Sequence, residues 1–148
     1  MSPRGRRQSC TAQDARVRAS HARAYLETAK LVSSDPSKPG DVNFNQVAAG
    51  NAVLAAIAAS DALCCRLLGE RARARDHRDA IGLLEQVRFG AGSVSEQARR
   101  SRELAAALAT ALDIKDDSHY GMLMVGAVEL RRVIRAAEKL TAAALAVL

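Results

Sequence analysis

The sequence predicts an all-α protein, an up-and-down bundle of four to five helices. Three observations predict it. The apolar content, 49% of 148 residues, comes mainly from Ala and Leu, which are strong helix formers. Apolar residues recur at three- and four-residue spacing along several long segments. Val and Ile are thinly spread and never alternate over a run, so strands are not expected. A chain of this length fits one domain with a buried core. The expected organisation is a flexible basic tail at 1–10 and a single helical domain at 11–148.

The tail carries Arg4, Arg6 and Arg7 among Pro3 and Gly5. No apolar segment follows it, so it does not read as a secretory signal. The first helix is expected from Thr11, where Thr11-x-x-Asp14 has the form of a capping box, to about Val32. Ala15, Ala22, Leu26 and Ala29 mark its inner face; Arg16, Arg23, Glu27 and Lys30 mark its outer one. Pro36, Pro39 and Gly40 make the following stretch a loop. A second helix is expected from Asp41 or Asn43 to Leu68, stopped by Gly69. It is apolar nearly all round from Val47 to Leu63 and should be the most buried helix. Its stripe reads Val47, Asn51, Leu54, Ala58, Asp61, Cys65, Leu68. Asp61 on that stripe needs a cation or donors, either as a salt bridge fixing register or as an orienter of a catalytic group. The same stretch falls short of the ~20 strongly apolar residues of a membrane span.

The third helix is expected from Asp76 to about Arg88, with Ala80, Ile81, Leu84 and Val87 inward and His77 in phase with them. After Gly90-Ala91-Gly92, Ser93-x-x-Glu96 is a capping box for the fourth helix. Leu104, Leu108, Ala111 and Lys115 follow at 4-3-4 spacing, which carries Lys115 onto the inner stripe near the helix end. Asp116 to Met124 is expected to be a polar loop. The fifth helix is expected from about Val125, with Leu130, Ile134, Ala137, Thr141 and Leu145 or Leu148 inward and Arg131, Arg132, Arg135 and Lys139 as an outward basic strip.

There are 22 Lys and Arg against 16 Asp and Glu, a net charge of +6. That balance is compatible with an acidic partner such as nucleic acid. Only Phe44, Phe89, Tyr25 and Tyr120 are aromatic, too few for a platform that stacks single-stranded bases. Cys64 and Cys65 point about 100° apart on one helix and cannot readily bridge each other. With Cys10, the odd count suggests a reducing, cytoplasmic setting. No His, Cys and carboxylate spacing suits a metal, and no glycine-rich phosphate loop is present; neither metal nor cofactor is expected.

The long Ala-rich helix around Asn51-Ala52-Val53 and Ala58-Ala59-Ser60-Asp61-Ala62, together with Lys115-Asp116-x-x-His119-Tyr120-Gly121, resembles the HEPN family of small α-helical bundles. The family's hallmark is an arginine, a polar residue and then, four to six residues between, a histidine. Here His119 matches the histidine and Asp116 the polar residue. Lys115 stands at the arginine position, and three residues intervene. The resemblance implies a metal-independent endoribonuclease acting as a homodimer, with the toxin of a toxin–antitoxin or phage-defence pair as one setting and a nucleotidyltransferase antitoxin as its partner. It equally admits a non-catalytic bundle that binds RNA, nucleotide or a protein. The candidate catalytic set is His119, Lys115, Asp116, Tyr120 and Asp61; Arg131, Arg132 and Arg135 are the candidate RNA contacts. An imidazole titrates near neutrality and can move the proton of an attacking ribose 2′-hydroxyl. A nearby ammonium stabilises charge on the phosphoryl oxygens, without arginine's bidentate fork.

Overall fold

The computed structural model describes residues 7–34, 41–73, 77–120 and 125–148, without the side chains of Val42, His77 and residues 117–120. The elements run β1 (Arg7–Ser9), α1 (Ala12–Ser33), α2 (Val42–Leu68), β2 (Glu70–Ala72), α3 (His77–Leu84), α4 (Val94–Tyr120) and α5 (Ala127–Ala146). The all-α expectation holds apart from one small addition. β1 and β2 form an antiparallel ribbon with Arg7 opposite Ala72, Gln8 opposite Arg71 and Ser9 opposite Glu70. Residues 7–10, expected to belong to a flexible tail, are therefore tied down; residues 1–6 lie outside the described part.

The helix ends follow the local chemistry. Thr11 caps α1 through a reciprocal capping box with Asp14, satisfying two amides that the first turn leaves open. The Asp41 carboxylate accepts from the amides of Asn43 and Phe44 at the start of α2. Gly69 ends α2 at φ 73°, a left-handed conformation that costs glycine no Cβ clash. Ser93 accepts from the Glu96 amide, 3.2 Å, at the start of α4. α3 is shorter than its periodicity suggests, because the chain turns after Leu84 so that Val87 drops into the core. Ser101, a fully buried polar residue of α4, donates to the Val87 carbonyl and so fastens that turn.

α2 is the central helix, packed against α1, α4 and α5. Ala48, Ala49, Ala52, Ala55, Ala56, Ala58, Ala59 and Ala62 are all fully buried, and α1 meets them with Ala15, Ala19, Ala22 and Ala29. By length and composition Asn43–Leu68 is long and apolar enough to cross a membrane, and 67% of its most apolar window is buried within the bundle. The expected inner stripe of α2 is corrected: Val47 and Leu54 are 54% and 45% exposed. Where every position is apolar, periodicity does not fix the phase. At α5, Ala144 is buried, whereas Leu145 and Leu148 are exposed.

The expectation of three thiols is also corrected. Cys10 and Cys65 are joined in a disulfide that spans 55 residues, and Cys64 is a buried free thiol. Closing a loop of that length stabilises the fold by about 4 kcal/mol through chain entropy alone. Cys10→Ser should therefore lower the urea unfolding free energy by about 2–4 kcal/mol under oxidising conditions while far-UV helicity stays at the wild-type level. A loss below about 0.5 kcal/mol would mean that the bond does not constrain the unfolded chain.

Candidate functional site

The stretch expected to be the site loop is helical. α4 continues to Tyr120, because Lys115, Asp116, Asp117, Ser118, His119 and Tyr120 include no glycine or proline to stop it. Positions 115 and 119 are thus one turn apart on the same side of a helix, as are 116 and 120. Lys115 is half-buried, beside Ile114 at 8% exposure, and Asp116 is exposed. The expected inward phase is thereby shifted by one residue: Ile114 takes the core position and Lys115 lies at its margin. Both Lys115 and Asp116 are engaged in interactions of their own. The side chains of His119 and Tyr120 lie outside the described residues, as do residues 121–124.

Asp61 does not belong to that end of the bundle. Asn45 Nδ2, near the start of α2, donates to the Val125 carbonyl, 3.4 Å, just beyond α4. Asp61 is 16 residues further along α2, or about 24 Å at the rise of an α-helix. Its carboxylate Oδ2 pairs with Arg18 Nη2 at 3.0 Å and Arg71 Nη1 at 3.2 Å. Arg18 Nε also donates to it, 3.1 Å. Of the two roles expected for Asp61, salt bridge or catalytic orienter, the structure shows the salt bridge. It ties the start of α1, the last turns of α2 and β2 together. Only 13% of its side chain is exposed. Burial pushes the carboxyl above its ordinary 3.8, against the pull of the two guanidiniums.

The basic strip of α5 lines a groove. Arg131, Arg132, Arg135 and Lys139 are exposed. Arg132, Arg135 and Lys139 form one wall of a shallow groove of about 320 Å³; Glu103, Ala106, Ala107 and Thr110 of α4 form the other. Three cations face one carboxylate, so the groove carries net positive charge. Alanine on the α4 side leaves the floor open, and Lys139 sits beside Glu138, which reaches Lys30 of α1 at 3.6 Å. Because α4 and α5 run in opposite directions, the groove leads from Glu103 and Lys139 towards Thr110 and Arg132. Lys115 follows Thr110 by five residues, about 7.5 Å. Arg131, also exposed, is not among the residues that line the groove.

Among the described residues, no group of His, Cys, Asp and Glu could hold a metal ion. The sequence reading missed the Arg18 and Arg71 partners of Asp61, and it missed the disulfide. The Arg18 side of the first was visible as an arginine in phase with the inner edge of α1; Arg71 depended on a strand three residues long. No family model, curated protein or solved structure matches the chain.

Asp61→Ala leaves two guanidiniums without their counter-charge and should cost about 1–3 kcal/mol in chemical denaturation. A folded carboxyl that holds its proton to higher pH than the unfolded one makes the native state bind more protons in that window. Stability should then fall as pH rises from 3.8 into the raised range, and Asp61→Asn should abolish that slope. A rise in wild-type stability over that window, lost in Asp61→Asn, would reverse the assignment.

Proposed function

We propose that the chain is a HEPN-like RNA-engaging bundle that cuts RNA without a metal ion. The groove between α4 and α5 seats the phosphate backbone, and the end of α4 carries the chemistry. The observation that supports the reading is the run of Arg132, Arg135 and Lys139 along a groove that leads to the turn of α4 holding Lys115 and His119. In this reading His119 takes the 2′-hydroxyl proton, Lys115 stabilises the phosphoryl oxygens and Asp116 orients the imidazole or the ammonium. Tyr120 contacts substrate. Asp61 has no part in it. The setting as a toxin beside a nucleotidyltransferase antitoxin comes from the resemblance alone.

A second reading, RNA binding without turnover, is favoured by one observation. Lys115 lies half-buried at the core margin, where an ammonium makes fewer directed hydrogen bonds to a phosphate than a guanidinium would.

The protein with EDTA present should cleave unstructured RNA, and His119→Ala should reduce the rate by at least about 100-fold. Arg132→Glu with Arg135→Glu should weaken RNA binding and lower the salt slope by about 1.4, two contacts at ~0.7 each. Binding without cleavage selects the second reading; neither binding nor cleavage overturns both.

The resemblance also carries a homodimer. Val47 and Leu54 lie one heptad apart on α2 and are 54% and 45% exposed, with half-buried Ile57 on the same side. A second copy of the chain packed there would remove that apolar surface from water. Light scattering at micromolar concentration should give twice the chain mass of 15.7 kDa, and Leu54→Asp should return it to the monomer value. A wild-type monomer across the range removes the dimer from the proposal.

A further inference from the structure

At the opposite end of α2 from the proposed RNA site, Cys10 and Cys65 both line a cleft of about 240 Å³ that Arg18, Arg71, Asp14 and Val17 also border. Cys10 is half-exposed, whereas Cys65 is only 3% exposed. We propose that this disulfide is a thiol-exchange site, opened by a low-molecular-weight thiol and serving as a latch that fixes or frees the N-terminal strand. The inference is independent of the RNA reading.

The cleft and the unequal exposure give the attack a direction. A thiolate of the small thiol attacks Sγ of Cys10 and forms a mixed disulfide there. The Cys10–Cys65 bond breaks, and Cys65 leaves with the electron pair and takes a proton from water. A second small thiolate attacks the outer sulfur of the mixed disulfide, Cys10 leaves and is protonated, and the two small thiols depart as their own disulfide. Two thiols are oxidised and one disulfide is reduced. Arg18 and Arg71 are balanced by Asp61 and Asp14 at the cleft, so an approaching thiolate meets no net negative charge.

What the bond holds is small. Among the described residues, β1 is secured by its three-residue pairing with β2 and by Cys10 N–H donating to the Gly69 carbonyl, 3.0 Å. Two side-chain contacts add to these: Arg7 to Glu70 at 3.1 Å and Arg71 to Gln8 at 3.2 Å. A two-stranded ribbon of this length is marginal in water without a covalent tie. The apolar core cluster of the bundle contains neither Cys10 nor Cys65. Opening the bond therefore releases the strand without emptying the core. Arg71 gives up Gln8 and keeps Asp61.

Cys64 stays out of the exchange. It belongs to the core cluster, and burial pushes its thiol up to about 12, so it furnishes almost no thiolate at neutral pH. Its side chain also leaves α2 about 100° away from that of Cys65. The latch has two states, bonded and open, rather than a scrambled third.

The full-length chain is equilibrated in glutathione buffers of graded thiol-to-disulfide ratio, quenched with an alkylating agent and weighed intact, with hydrogen exchange followed in parallel. Two alkylated cysteines should appear together, mapped to Cys10 and Cys65, with Cys64 protected. Exchange of the ribbon amides should accelerate by at least about tenfold more than that of α2, α4 and α5, whose protection falls no further than the loss of global stability accounts for, and oxidised glutathione should restore the slow state. The variant Cys10→Ser with Cys65→Ser should show the fast ribbon under every buffer. Reduction in which ribbon and helices lose protection to the same extent overturns the proposal and makes the bond a plain staple. Ribbon protection unchanged on reduction overturns it too, as does labelling of Cys64 in place of Cys65.

Discussion

Alanine against alanine between α1 and α2 is the constraint on which the rest of the structure depends. Eight buried alanines of α2 cover about half of its circumference, and the buried alanines of α1 meet them. Such small side chains let helix axes approach to about 8 Å, the lower end of ordinary helix packing. They also lose no rotamer freedom on burial. Each, however, removes little apolar area from water, so the hydrophobic drive comes largely from the larger residues at the periphery of α2. Leu63, Leu83, Leu84, Leu108 and Leu140, all fully or almost fully buried, fill the space between α2 and the helices α3, α4 and α5.

A tight, smooth contact of this kind resists separation more than it resists sliding. Alanine faces have shallow ridges, and a shift by one turn replaces alanine with alanine. Register must then be set by groups with direction. Asp61 supplies one such group, since a single carboxylate accepts from Arg18 of α1 and Arg71 of β2. The Cys10–Cys65 bond supplies another at the same end. At the other end, Asn45 meets the Val125 carbonyl, and along α1 Lys30 reaches Glu138 of α5. These directed contacts set alignment, and Ser101 does the same for the turn before α4. None of these contacts uses a residue that lines the α4–α5 groove.

Local chemistry was the legible part of the sequence. Thr11 with Asp14, Gly69 and Ser93 with Glu96 each announce a helix end through contacts within a few residues, and each stands where it was expected. Three other features were hidden for physical reasons. The ribbon joins residues 63 apart in sequence, Gln8 and Arg71, and three-residue strands leave no periodicity to read. The disulfide pairs Cys10 with Cys65 across 55 residues, and nothing in the spacing of three cysteines favours that pair. The inner stripe of α2 was misplaced because uniform apolarity carries no phase; Val47 and Leu54 proved to be its outer edge.

The candidate stretch shows how a reading of polarity can mistake the state of the backbone. Lys115 to Tyr120 is polar and interrupts the Ala and Leu pattern, which is why it resembled a loop. Polarity, though, says which surface faces water; none of these residues breaks the helical hydrogen-bond ladder as glycine or proline would. Among the described residues α4 accordingly continues to Tyr120. For the proposed chemistry this matters more than the missing arginine. A loop can adjust the separation of a cation and an imidazole, whereas a helix fixes positions 115 and 119 one turn apart, about 6 Å along the axis. Asp61, at the far end of α2, takes no part in the proposed chemistry. Asp116 and His119 are three positions apart and so share one side of a regular helix. The proposed reaction thereby depends on a single turn of α4 rather than on convergence of two helices.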